Sequence, residues 1–139
     1  MTVSTYSIKI HSKGENDMVD LTQQISDFVK KSDISKGIST IFVSGSTGSI
    51  TTIEYEPGLI KDFPEMLGRI APRDFDYGHE QMWHDGNGHS HVKASLVGPS
   101  LTVPFIDGKL CLGRWQQIVF VEMDTRTRNR DLILQIIGE

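Results

Sequence analysis

The chain has 139 residues, and its 14 Lys and Arg against 18 Asp and Glu give a net charge of -4. That suits one domain, residues 1–139, with a core of ordinary size, and it lacks the broad basic field of a non-specific nucleic-acid binder. Hydrophobic residues make up 37% and charged residues 23%, which excludes disordered and collagen-like classes.

In chain order, Val3, Thr5, Tyr6, Ile8 and Ile10 alternate as a strand, and a polar stretch around Gly14 and Asn16 turns the chain. This opening has neither the basic start nor the apolar stretch of a signal peptide, and no later run approaches the ~20 apolar residues of a membrane helix. Asp20 and Gln23 have capping-box spacing, and Leu21, Ile25, Phe28 and Val29 predict a helix over 21–31 that stops before Gly37. Residues 37–43 and 50–55 are rich in β-branched side chains and predict two strands. Pro57 opens a second helix with apolar positions Leu59, Ile60, Phe63, Leu67 and Ile70, and Pro64 inside it predicts a bend or a late start. Strands are expected at 90–97, 101–106, 110–112, 116–123 and 132–137, with Asp107-Gly108 as a hairpin turn. Two main helices and a run of antiparallel strands give a single α+β domain with a mixed, largely antiparallel sheet. The lone cysteine, Cys111, reads as a buried core thiol in a reducing, cytoplasmic setting.

His79, His84, His89 and His91 crowd into one segment. On a strand, His89 and His91 project to the same side and can reach one ion, with His79 or His84 folding over from the preceding loop. Imidazole nitrogens suit a divalent metal such as zinc, and three of them leave one position open for water or substrate. The competing reading is a solvated histidine-rich loop shaped by Gly86, Asn87 and Gly88, or histidines that move protons without any metal. His91, Lys93 and Ser95 then share a polar strand face that can wall a pocket.

Residues 44–49 form a Gly/Ser/Thr loop in which Ser46, Thr47 and Ser49, with the backbone N–H groups, can cradle a phosphate. The loop lacks the GK[ST] ending of a P-loop, so a plain tight connection is the alternative. Arg114, Arg126, Arg128 and Arg130 supply cations for a phosphate, or a solvated turn. Glu122 and Asp124 share a strand face, as a base, as partners to a histidine, or as ordinary outward carboxylates. Glu122, Lys93 and Arg114 are therefore the catalytic candidates.

The segment Asp85-Gly86-Asn87-Gly88-His89-Ser90-His91-Val92, the stretch Ser95-Leu96-Val97-Gly98-Pro99-Ser100-Leu101-Thr102-Val103-Pro104, and Leu112-Gly113-Arg114-Trp115-Gln116-Gln117-Ile118 together resemble the YjbQ-like family. Phe42-Val43, the loop after it and the strand from Ile50 to Glu54 extend the likeness, as does the ending from Gln135 to Glu139. The resemblance implies a compact sandwich-like fold, a homotrimer, and a metal held by histidines near subunit boundaries. It also implies secondary thiamine-phosphate synthase activity, in which a pyrimidine diphosphate is joined to a thiazole phosphate with release of pyrophosphate. Alternatives from other classes are a non-catalytic trimeric binder of a metal or phosphometabolite, and a metal-assisted phosphohydrolase. Many family members carry a histidine where Gly45 stands here, which makes His89 the expected substitute ligand beside His79 and His91.

Overall fold

A computed structural model describes residues 1–139, and its architecture follows the alternation in the sequence. Strands β1 (Thr2–Ser12), β3 (Lys36–Val43), β5 (Ser100–Ile106), β6 (Lys109–Leu110) and β8 (Arg128–Gly138) form an antiparallel sheet in the order β1-β8-β3-β5-β6. Strands β2 (Met18–Asp20), β4 (Gly48–Ile53) and β7 (Gln117–Glu122) form a second sheet in the order β2-β7-β4. The inner faces of both sheets meet in the main core. Ile41, Val103, Phe105, Leu132, Leu134 and Ile136 pack there against Ile50, Ile118 and Phe120.

Helix α1 (Thr22–Lys31) closes this core with Ile25 and Val29. Its first amide, on Thr22, is capped by the Asp20 carboxylate at 2.9 Å, while Gln23 bonds Asp27 instead of completing a capping box. Helix α2 (Pro57–Ile70) starts at Pro57 with Glu56 as its cap, accepting from Gly58 and Leu59, and it runs through Pro64. Leu67 from α2 and Ala94 from α4 (Gly88–Val97) cover the far face of the second sheet, on Met18, Val119, Val121 and Met123. Strand β7 is thus buried on both faces, which explains its unbroken apolar run Ile118-Val119-Phe120-Val121.

The fold is α+β and sandwich-like as expected, with four helices rather than two. The segment expected as a strand over 90–97 is helix α4, and a short helix α3 (Gly78–Trp83) precedes it. Strand β2 follows the expected turn, in a stretch to which the sequence assigned no element. Cys111 is exposed rather than buried. Asp107 and Gly108, at φ 51° and 68°, form the expected hairpin turn between β5 and β6. No helix is long and apolar enough to cross a membrane.

Gly37 and Gly138 face each other across β3 and β8, where a Cβ on either would lie 2.0 Å from the opposite strand's carbonyl oxygen. Backbone cannot yield as a flexible side chain does. Gly37→Ala should therefore lower stability by about 1–3 kcal/mol in urea denaturation; an unchanged midpoint would show that the strands can spread there.

Candidate functional site

Three short elements bring the site together. Helix α3 carries His79 in its first turn, the connecting loop carries Asp85, and α4 carries His91. The loop bends through His84 at φ 53° and Gly86 at φ 73°, and only the second, a glycine, adopts the left-handed region at no steric cost. The Glu80 carboxylate fixes that bend by accepting the amides of Gly86 at 2.8 Å and Gly88 at 2.7 Å. These backbone donors, that of Gly88 foremost, hold Glu80 below the usual carboxylate range.

His79 and His91 lie with ring centroids 4.4 Å apart. His79 Nε2 is 3.2 Å from Asp85 Oδ1, yet the approach is not that of a hydrogen bond, and this buried nitrogen has no partner. One ligand atom each from His79, Asp85 and His91 falls within 4.8 Å of the others. Asp85 stays ionised because the Asn87 amide, and then His79, favour its charged form. Two imidazoles and a carboxylate are a donor set that zinc accepts in three-ligand sites, and the unpartnered buried Nε2 of His79 fits that use.

His91 also lines a cleft of about 200 Å³ with Gly45, Ser46, Gly48, Ala94, Ser95 and Pro99. None of the amides of Ser44, Gly45, Ser46 and Thr47 donates to a backbone carbonyl. Behind the loop stands Arg130, whose Nη1 is 2.7 Å from where a Gly45 Cβ would sit. Free N–H groups backed by a cation form a concavity suited to an oxyanion.

The structure separates other expected site residues from this cleft. His89 does not join His79 and His91, because on a helix residues two apart point about 200° from each other. It is 2% exposed and packs its Nδ1 3.3 Å from Glu15 Oε1 and 3.3 Å from Lys93 Nζ. Burial, and then the Lys93 charge, depress its pKa and keep it neutral at neutral pH. Asp85, not His89, completes the set of three. Lys93 is buried in the same cluster with Glu15, which also binds Arg73 at 3.0 Å. Arg114 stacks on Trp115 at 4.7 Å in a separate groove with Asp20, Glu54 and Glu56. Glu122 is wholly buried between Ser12 and Arg130. Ser49 is buried in β4 with an unpartnered hydroxyl. Thr47 gives its hydroxyl to Asp124 at 3.0 Å and accepts from Arg130, so of the three loop hydroxyls only that of Ser46 faces the cleft. His84 is exposed and outside the set.

Arg128 and Arg130 are not a solvated cationic turn. Arg128 forks onto Asp124 at 2.9 and 2.6 Å, and Arg130 onto Glu122. Burial pushes the Asp124 carboxyl up, but the Arg126 amide, Arg128 and Thr47 outweigh it and hold the group far below the usual range. Its native pKa lies under its unfolded one of about 3.9, so its stabilisation is complete above that pH and fades as acid is added. Asp124→Asn should accordingly flatten the fall in stability between about pH 4 and pH 2, read from urea midpoints; parallel curves would deny Asp124 that part.

An antiparallel sandwich with a helical layer, and a His/Asp cluster that meets a cleft at His91, define the class of protein. The chain belongs to the family described as UPF0047 protein YjbQ-like, whose model matches residues 6–139. A UPF0047 protein of Methanothermobacter thermautotrophicus is 36% identical over 139 residues, covering 100% of this chain and 95% of that one. The UPF0047 protein YugU of Bacillus subtilis is 31% identical over 134 residues, covering 95% of this chain and 98% of its own. Among solved structures, a YbjQ-like protein of unknown function from Sulfolobus solfataricus superposes with a TM-score of 0.89 at 33% identity, covering 99% of this chain and 100% of that one.

Proposed function

We propose that the protein is a metal-dependent enzyme acting on a small phosphorylated substrate, with His79, Asp85 and His91 holding a divalent ion, zinc by its donor set. The convergence of those three side chains beside the loop of free amides carries this reading. Ser46 Oγ and the amides of residues 44–47 receive the phosphate, and Glu80 holds the loop that aims Asp85. A bound divalent ion supplies positive charge against the charge that builds on a departing diphosphate. Lys93, Glu122 and Arg114 lie away from the cleft and have no part in this scheme.

The reaction proposed is secondary thiamine-phosphate synthesis. A carbon–nitrogen bond forms between the pyrimidine diphosphate and the thiazole phosphate, the carbon–oxygen bond breaks, and pyrophosphate leaves. An exposed free thiol at Cys111 supports a cytoplasmic setting. The trimer is part of the same proposal, and an apolar outer face of the first sheet, where Val3, Ile38, Phe42 and Ile133 are 40–57% exposed, is consistent with association of copies.

The test is zinc-loaded protein incubated with both substrates, following thiamine phosphate and pyrophosphate. Product that depends on zinc supports the reading. Phosphate released from a simple ester points to a hydrolase instead, and zinc and phosphate binding without turnover points to a binder.

A further inference from the structure

The cleft has two walls from distant parts of the chain, the loop at Gly45 and Ser46 and the face of α4 that carries His91, Ala94 and Ser95, and a single carboxylate touches the support of both. We infer that Asp124 is the positioning residue of the site, holding the phosphate loop through Thr47 and the metal-bearing helix through Asn87.

Asp124 is completely buried. Its Oδ2 accepts the Thr47 hydroxyl at 3.0 Å, and its Oδ1 accepts Asn87 Nδ2 at 3.3 Å. Each tether is itself stiff. Thr47 is pinned further by its carbonyl, which accepts the Met123 amide at 2.9 Å, and by Arg130 Nη2 at 3.0 Å. Asn87 precedes the first residue of α4 and is 2% exposed. Its Oδ1 accepts Ser90 Oγ at 2.9 Å and the Thr125 amide at 3.2 Å, so the helix start is bound to the chain that carries Asp124.

Arg128 and the Arg126 amide hold the carboxylate in turn. Because the carboxylate is charged and held by several donors, it can fix both partners more firmly than a neutral hydrogen bond would. Ser46 immediately precedes Thr47, and His91 lies one helical turn beyond Asn87, whose carbonyl accepts the His91 amide at 3.0 Å. The spacing between the phosphate donors and the metal ligands is set at Asp124, a residue that touches neither ligand.

This rests on the metal and phosphate reading, and its test separates the two. Thr47→Val cuts the loop tether, and with it the bond from Arg130, and should weaken binding of inorganic phosphate about tenfold while zinc affinity holds. Asn87→Ala cuts the helix tether and should weaken zinc about tenfold or more while leaving metal-free phosphate binding in place. Thr47→Ser, which keeps the hydroxyl, should restore phosphate binding. Zinc and phosphate titrations by calorimetry read these outcomes, and urea midpoints of the two single variants and their double variant read the shared latch. The double variant should not lose the plain sum of the two single losses, since both tethers end on one buried carboxylate. Additive losses, or phosphate and zinc affinities that fall together in both single variants, overturn the latch. Wild-type protein that takes up neither zinc nor phosphate overturns the functional reading, and the positioning role with it, even where the stability losses are non-additive.

Discussion

His91→Ala should reduce zinc uptake by more than about a hundredfold, since loss of a ligand must exceed the 10–100-fold typical of groups that only orient ligands. His91 is the residue shared by the ligand set and the cleft, with its ring 4.4 Å from that of His79. Its removal leaves His79 and Asp85, too few donors to hold zinc in a three-ligand site. His89→Ala is the decisive companion. His89 is sealed against Glu15 and Lys93, so that variant should keep its zinc within a few-fold and lose stability instead, about 1–3 kcal/mol. Metal content after dialysis and calorimetric titration measure both. Zinc lost in both variants would restore the pairing expected from a strand, and zinc lost in His89→Ala but kept in His91→Ala would sink the set of three described here.

Arg130→Ala should destabilise the fold by about 3–5 kcal/mol, because it strands a wholly buried carboxylate. Glu122 is 0% exposed. It receives Arg130 Nε at 3.0 Å and a further bond from Nη2, and only Ser12 Oγ and the Asp124 amide remain once the guanidinium is gone. The guanidinium also lies 5.6 Å from the Phe120 ring centroid, so its removal opens space in the core. Arg130→Lys should recover only part of the loss, as a single ammonium cannot reproduce the fork that meets both carboxylate oxygens. Replacing both partners with apolar residues of similar volume should cost far less than Arg130→Ala. Urea denaturation at neutral pH measures the series. A loss below about 1 kcal/mol in Arg130→Ala would mean that water reaches Glu122 and that the pair behaves as a surface one.

The elements most legible in the sequence were those whose buried face is apolar. The alternation of β1, β3 and β8 and the helical spacing of Leu21, Ile25 and Val29 each reported a face that the core covers. The Asp107-Gly108 turn was legible for a different reason, since a two-residue hairpin demands positive φ at both positions. Helix α4 was missed because its buried positions include His89, Ser90 and Lys93. A polar buried face carries no hydrophobic period, and β-branched Val92 and Val97 with Gly88 and Gly98 gave the look of a strand. Asp85 was missed with it, since only the α3–α4 bend brings that carboxylate to His79.

What the sequence alone determined is the kind of chemistry available and the family: a dense set of imidazoles, a loop of small residues, and motifs matched over residues 6–139. Only the tertiary structure decided which side chains share a site. His89 and His91 diverge because the backbone between them is helical, and Thr47, Glu122 and Arg130 turn inward because buried charges must find partners. Residue type fixes what a group can do, whereas its neighbours are fixed by packing between segments far apart in the chain.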